Sequence, residues 1–477
     1  MLKVIIPVAV LLLIILVKKL PLIGGNVQVA LIAAGVLSLL LGGVFQPGAW
    51  LAAFVDGLDR LAWIICLSIF GSIYAETQSR LGVIDTIMGA LKARFGNRPR
   101  TLVVCIILVL VLAGSLLGDA IAASTVVGVL TIGTLAAMGL SPEVICCIIV
   151  TGASMGSIMP PITQALALSS SLVGTAADPV IALGYPTVAI VVVLMCVYLA
   201  LVYVKKDMVI DRNNPAAVAL NVNFDDERSA GRILRDNWKS LIPLGVLILI
   251  VVFRTINVPA VKFDLGPALL GNLTYTNADG VTTSVYAWLA GTTILKGLSN
   301  GIVLSLILVT LLTFCFKEIR SNAGDVVRSG LSKVKVTVGL QVCAAFMLGC
   351  FYAGGQIEAV SAFAQGLNTN LLKIGGALAM MLIGMLTGSQ STAQNVVFAF
   401  FGPALVQIGL NPTFVAVAGA HLAAAGQGMP PADLTTFVVA GIVGGMLGKK
   451  VDPLKSMIYM IPMCLCFMII GLVFLYI

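Results

Sequence analysis

The sequence predicts an all-α polytopic membrane protein built from inverted structural repeats with broken helices. Three observations predict it. The first is composition. Of 477 residues, 59% are hydrophobic and 10% charged, and the mean hydropathy is +1.09. Soluble domains are roughly 45–50% apolar and about 25% charged. The second is a repeated break. Gly139-Leu140-Ser141-Pro142 is followed, seventeen residues after Pro142, by Met159-Pro160-Pro161. Gly409-Leu410-Asn411-Pro412 is followed at the same spacing by Met429-Pro430-Pro431. Paired prolines remove donors and clash with the preceding turn, so each pair stops a helix. In a membrane such a stop survives only where the backbone faces protein or a wet cavity. The third is that loops matched by the repeat have opposite basicity, as described below.

The elements follow in order. Val4–Val17 reads as a retained first helix, because Lys18-Lys19-Leu20-Pro21 follows it in place of a small-residue cleavage site. Val27–Phe45 is a second span, which with an amphipathic stretch from Gln46 makes residues 1–61 an N-terminal scaffold. The first repeat is expected over 62–204. It has a crossing at Ala62–Ala75, an interfacial stretch at Gly82–Phe95, a broken region at 118–180 and an exit span at Pro186–Val204. Residues 205–325 are read as a cytoplasmic connector, scaffold helices and an outside insertion at 254–298 carrying Tyr275 and Trp288. The second repeat, 326–477, mirrors the first, with a broken region at 388–448 and a final helix.

Several blocks support duplication. Gly57-Leu58 recurs as Gly330-Leu331, and Gly82-Val83-Ile84-Asp85 as Gly355-Gln356-Ile357-Glu358, both 273 residues apart. Ser124-Thr125 is paired with Ser391-Thr392, and Gly139 with Gly409, 270 residues apart, so one small indel separates the blocks. Charge then gives orientation. Arg80, Lys92, Arg94, Arg98 and Arg100 put residues 80–100 inside, whereas the counterpart 353–376 has only Lys373. Lys317, Arg320, Arg328, Lys333 and Lys335 put 317–335 inside, whereas 46–61 has only Arg60. The positive-inside rule therefore inverts one half relative to the other. It also accounts for the formal charge of +8 without nucleic acid. The ten cysteines lie in apolar segments without metal-ligand spacing and read as buried thiols. There is no Ser-His-Asp, phosphate-loop or metal-finger pattern, so an enzyme is not expected.

Paired interrupted segments in two halves point to a binding site near the membrane midplane. Gly388-Ser389-Gln390-Ser391-Thr392-Ala393-Gln394-Asn395 is too polar to face lipid. Its hydroxyls and amides suit sodium. Ser124 and Thr125 are read either as ligands or as helix–helix contacts. The corners lead into Thr163-Gln164 in one half and Asp433, Thr435 and Thr436 in the other. Free carbonyls before the prolines and free N–H groups after them are expected to give charged helix ends. Asp433, Asp119 and His421 are the coupling candidates, because ionisable groups inside spans are costly and usually functional. Asp119 sits either in a cavity or at the membrane surface, and His421 is either packed and hydrogen-bonded or a proton carrier. Asp85 and Glu358 read as surface or structural groups. No Lys or Arg occurs over 101–204 or 374–448, so an anionic substrate would rest on helix N-termini, neutral groups and a bound cation.

The small Ser/Thr tip, Gly-x-x-Pro turn, Ala/Gly-rich helix and Pro-Pro corner, repeated in inverted halves, resemble the large permease subunit of tripartite ATP-independent periplasmic (TRAP) transporters, within the ion transporter superfamily. The stretch Gly156-Ser157-Ile158-Met159-Pro160-Pro161 carries much of the likeness. The resemblance implies a scaffold plus an elevator-type transport domain that holds two re-entrant hairpins and two broken helices. It also implies sodium-driven uptake of C4-dicarboxylates, sialic acids or related acids, with a small membrane subunit and a periplasmic binding protein as partners. Sodium would fall near Ser124, Thr125, Ser391 and Thr392. Each tip would work with its corner, Gly156–Pro161 for the first and, for Ser389–Asn395, Gly426, Gln427, Pro430 and Pro431. Thr163 stands where the family commonly has serine after the corner, and Asp433 where a small residue is usual.

The expected function is sodium-coupled uptake of a small organic acid across the bacterial inner membrane, by alternating access and without a cofactor. The alternatives are a proton-coupled permease or sodium/proton antiporter, and a non-transporting scaffold. On this reading an Asp433→Asn change abolishes coupling. Reporter fusions at the termini and in 80–100 test the orientation: residues 80–100 should report inside and both termini outside, and an outside report from 80–100 overturns it.

Overall fold

The computed structural model describes residues 2–17, 21, 24–95, 98–205, 208, 229–255, 263–276, 282–365 and 368–477. Lys18, Lys19, most of the expected connector and parts of the expected insertion lie outside these, as does the side chain of Asp85. The described residues are helical nearly throughout. The exception is a short antiparallel hairpin, Thr274–Thr276 with Thr282–Ser284, inside the expected insertion.

Among the described residues four helices are long and apolar enough to cross a membrane: Pro99–Leu117, Ala177–Val202, Thr369–Thr387 and Pro453–Tyr476. Their outer faces fit lipid. Ile190, Val193, Leu194, Val197 and Leu201 form an exposed apolar stripe on Ala177–Val202, and Leu371, Leu378 and Leu382 form one on Thr369–Thr387.

The scaffold differs from expectation at one place. Gln46–Leu61 and Ala62–Ala75 are one continuous helix, Pro47–Arg80, so the division placed between residues 61 and 62 falls inside an element. Proline at the first turn starts it, and no breaker follows before Gly82. Gly57 does not interrupt it but packs it. A Cβ on Gly57 would lie 1.9 Å from the Ala345 carbonyl, and one on Gly349 1.9 Å from that of Ala53. The partner is helix Ala323–Ala353, which likewise runs through the division placed between 325 and 326. Contacts pair early residues of one helix with late residues of the other, so the two are antiparallel. Ser68 accepts from Gln341 Nε2 at 2.8 Å, and Lys333 bonds Glu76 at 2.6 Å. The basic residues expected in a loop over 317–335 are therefore largely on helices, with Lys333 held by a carboxylate.

The order of elements then repeats. Pro99–Leu117, a tip, Ala120–Ala137, Pro142–Ile158, a corner, Gln164–Val173 and Ala177–Val202 are matched by Thr369–Thr387, a tip, Gln390–Gln407, Pro412–Gln427, a corner, Leu434–Leu447 and Pro453–Tyr476. Both Met-Pro-Pro corners break a helix as expected, and both Pro-Pro peptide bonds are cis. Each half also has one close helix crossing. Gly114 meets Gly156, and Gly384 meets Gly426, at distances no side chain would fit.

One sequence pairing is corrected. Gly118 and Gly388 both adopt the left-handed conformation, φ 65° and 64°, and each N–H bonds a carbonyl four residues back at 2.7 Å. These glycines fix the register. A π-helical turn begins at Ser124 in one tip and at Gln394 in the other, 270 residues apart. The structural partners of Ser124-Thr125 are thus Gln394-Asn395 and not Ser391-Thr392. The sequence pairing followed hydroxyl identity, whereas the backbone follows the glycine. The three-residue difference falls earlier, where Val83–Phe95 has 13 residues and Gln356–Gln365 has 10.

Candidate functional site

Starting a helix inside a membrane leaves its first N–H groups without partners, and a side-chain oxygen must supply them. Four helices begin in the middle of this molecule, and each has such a cap. Asp119 accepts from Ala122 N at 2.7 Å and Ser389 from Thr392 N at 3.3 Å. Thr163 accepts from Leu166 N at 3.3 Å, and Asp433 from Thr435 N and Thr436 N at 3.1 Å each. The caps occupy matched positions with their chemistry exchanged. The first half has a carboxylate at its tip and a hydroxyl after its corner, and the second half has the reverse.

The helices beyond the corners exchange partners. Leu434–Leu447 packs on the first tip helix, and Gln164–Val173 on the second. Gln394 donates to Ala165 O at 2.7 Å and Ser169 Oγ at 2.8 Å. Gln390 donates to Ser157 Oγ at 3.4 Å and, through its backbone, to Gln427 Oε1 at 3.3 Å. The two halves therefore enclose one space. It is a cavity of about 710 Å³, walled by both tips, by the helix starts at Gln164 and Leu434, and by Gln28, Ile64, Leu340 and Gln341 from the scaffold.

Of the predicted residues, Asp119, Ser389, Gln390, Ser391, Thr392, Asn395 and Gln427 line the cavity. The second tip thus supplies most of the polar wall, and among the described lining residues Asp119 alone has an ionisable side chain. The others stand behind this wall. Ser124 Oγ donates to Ala120 O at 2.7 Å and Thr125 Oγ1 to Ile121 O at 2.9 Å, one turn below the tip. Gly156 and Gly426 make the crossings already described. Pro160 and Pro161, and Pro430 and Pro431, form the corners. The carbonyl of Pro160, expected to be free, accepts from Ser115 Oγ at 3.1 Å, and Ile162 N donates to Ser115 O.

Asp433 has both oxygens committed to the start of Leu434–Leu447, with Thr436 Oγ1 a further donor, and it does not line the cavity. His421 is fully buried, with Nδ1 2.8 Å from Val417 O and its ring edge-on to Phe467. Its Nε2 is buried with no hydrogen-bond partner among the described residues, and the ring lies away from the cavity. Among the described residues no cluster of His, Cys, Asp or Glu suits a metal, so any cation here would be held by neutral oxygens with Asp119. Sequence reasoning missed Gln28 and Gln341. Gln341 left a signal, a lone amide within the apolar run Val338–Leu348.

The family model for the DctM component of tripartite ATP-independent periplasmic transporters matches residues 10–477. The chain belongs to that family. As a DctM component it is a multi-pass inner-membrane protein of a secondary transport system, and such systems also contain a periplasmic binding protein and a small membrane subunit. Solved structures share the fold at low identity. Neisseria gonorrhoeae MtrF, described among antimetabolite efflux pumps, is 14% identical with a TM-score of 0.64, over 98% of this chain and 96% of that one. The Alcanivorax borkumensis YdaH transporter, described as having an unusual topology, is 14% identical with a TM-score of 0.57, over 89% and 86%. Comparison with curated protein sequences returns no match.

The cap geometry moves the coupling expectation from Asp433 to Asp119. Asn caps helices about as well as Asp, whereas Ala forfeits roughly 1 kcal/mol. Asp433→Asn keeps one of the two accepting oxygens, so it should lose about 1 kcal/mol of stability yet retain cation-dependent uptake, while Asp433→Ala lowers stability further, by about 1–2 kcal/mol. Loss of cation dependence in a stable Asp433→Asn protein would return the coupling role to Asp433.

Proposed function

We propose that this DctM component carries a small organic acid into the cell with sodium, by alternating access at the cavity between the tips. The observation that carries the reading is the cavity's make-up: among the described residues that line it, one carboxylate, an array of neutral oxygens and amides, four helix starts, and no Lys or Arg. A carboxylate substrate can be met by the helix N-termini at Gln390 and Gln164, whose caps Ser389 and Thr163 are neutral. The tip capped by Asp119 suits a cation, as do backbone and hydroxyl oxygens at tight turns. Bringing an anion into a space that already holds a carboxylate requires such a cation, because like charges in low dielectric repel strongly.

The reading includes inversion of the two halves and an elevator-like movement of the tips and corners against the scaffold. Opposed loop basicity and the antiparallel crossing of Pro47–Arg80 with Ala323–Ala353 support the inversion. A C4-dicarboxylate-like acid is the substrate class the family resemblance favours. A small membrane subunit and a periplasmic binding protein are the proposed partners. The proton-coupled alternative loses His421, which is sealed in apolar packing, and rests on Asp119 at the cavity wall.

Proteoliposomes with an inward sodium gradient should accumulate the acid, and a proton gradient alone should not drive uptake. Asp119→Asn should remove most of the sodium dependence while leaving the tip capped. Uptake driven equally by protons without sodium would contradict the reading.

A further inference from the structure

We propose that Arg254 and Asp178 form a releasable latch that holds the cavity closed to the outside, with Asp264 as the carboxylate to which Arg254 turns when the latch opens. The inference rests on the reading of the cavity as an alternating-access site and on the loop-charge orientation. Three outer ends meet at the latch. Arg254 lies in the last turn of Trp238–Thr255, the helix that follows the expected cytoplasmic connector. Asp178 lies in the first turn of Ala177–Val202, whose far end leads to Lys205 and Lys206. Asp264 caps Leu265–Leu270 in the expected outside insertion and accepts from Gly266 N at 3.1 Å. The cavity instead borders Gly24, Gly25 and Asn26, which follow the basic pair Lys18-Lys19. By the positive-inside rule the latch and this border face opposite sides of the membrane.

The two sides of the latch belong to different parts of the molecule. Ala177–Val202 packs on Pro99–Leu117, Pro142–Ile158 and Gln164–Val173, the helices that flank the first tip and corner. Trp238–Thr255 packs chiefly on Gly301–Thr313, which in turn packs on the scaffold helix Pro47–Arg80. Asp59 of that helix pairs with Lys296 and accepts from Ile294 N at 2.9 Å, so the end of the insertion is fixed to the scaffold as well. Arg254 Nη2 reaches both oxygens of Asp178, at 2.8 and 3.0 Å. Trp63 Nε1 donates to Ser171 Oγ at 2.6 Å, one residue along the scaffold helix from Ile64 in the cavity wall. Ser171 and Asp178 flank the turn between the corner's outgoing helix and Ala177–Val202. A movement of tips and corners against the scaffold must break both contacts.

The surroundings of Arg254 suit release. Its side chain is 8% exposed, and a buried guanidinium that lost its one carboxylate would be strongly destabilising. Here a second carboxylate stands by on the scaffold side, with Asp264 Oδ2 3.7 Å from Nε. Nε and Nη1 are buried and make no hydrogen bond among the described residues, so both donors are open to Asp264 once Asp178 leaves. Gly301 makes the room for this pair: a Cβ there would lie 2.8 Å from Arg254 Cζ and 2.6 Å from Asp264 Oδ1. Asp178, whose side chain is 41% exposed, returns to water. The two carboxylates therefore act in opposite senses on one guanidinium. Asp178 favours the arrangement closed to the outside, and Asp264 favours the open one.

A Ser391→Cys reporter at the cavity wall tests this in the full-length protein, in proteoliposomes with sodium and in a background without the native cysteines. The readout is the outside-to-inside ratio of labelling rates with a membrane-impermeant thiol reagent. Asp178→Asn should raise that ratio about threefold or more, the scale set by a partly exposed ion pair. Asp264→Asn, which can still cap Leu265–Leu270, should lower it by about the same factor. A merely structural role for the cluster would move the two variants the same way, and neither residue lines the cavity where the reporter sits. An unchanged ratio in Asp178→Asn, or a shift of both variants in one direction, overturns the latch; labelling of the unaltered latch from both faces then leaves alternating access standing. Absence of outside labelling both with the latch intact and in Asp178→Asn overturns the latch and the alternating-access reading together.

Discussion

Among the described residues four helices start at the breaks that border the cavity, where their first N–H groups have no preceding turn to pair with, and the surrounding residues supply those partners. Asp119, Thr163, Ser389 and Asp433 each close one start. Without them the tips and corners would leave unpaired donors in a low-dielectric interior. The helices before the breaks, Pro142–Ile158 and Pro412–Gln427, are enclosed by protein over most of their length, which keeps the interrupted backbone away from lipid. Each corner's outgoing helix then lies on the other half's tip, so the halves cannot be separated without exposing these ends.

The cavity is a consequence of that exchange. Two tips and two helix starts meet with the scaffold at one depth, and positive helix ends, hydroxyls and amides border a common space. The exchange of carboxylate and hydroxyl between matched caps makes the two halves electrically unequal. Asp119 opens on the cavity and Asp433 is sealed behind it. One half therefore brings the charge and the other brings most of the neutral oxygen atoms, an arrangement in which an anion and a cation have different neighbours.

Much of this was legible in the sequence. Proline pairs mark helix stops whatever surrounds them, so both corners were found. The polarity of 388–395 in an apolar chain could only mean a wall away from lipid, and Ser389, Gln390, Ser391, Thr392 and Asn395 do line the cavity. What could not be read was tertiary. Asp433 looked like an open charge at the site, because sequence does not show that its oxygens are committed to Thr435 and Thr436. Ser124 was matched to the wrong partner because hydroxyl identity is a weaker guide than the left-handed glycine that sets the register. Gln28 carries no local pattern, and the lone amide of Gln341 in an apolar run marks a polar site without showing that the fold brings it to the tips.

Side-specific labelling tests the central claim, that the space between the tips opens alternately to the two sides. A single cysteine at Ser391, in a background without the native cysteines, would be challenged with a membrane-impermeant thiol reagent from either face of sodium-loaded proteoliposomes. Alternating access predicts labelling from both faces and protection from both when the transported acid is present. Labelling from one face only, unchanged by sodium or acid, would contradict it.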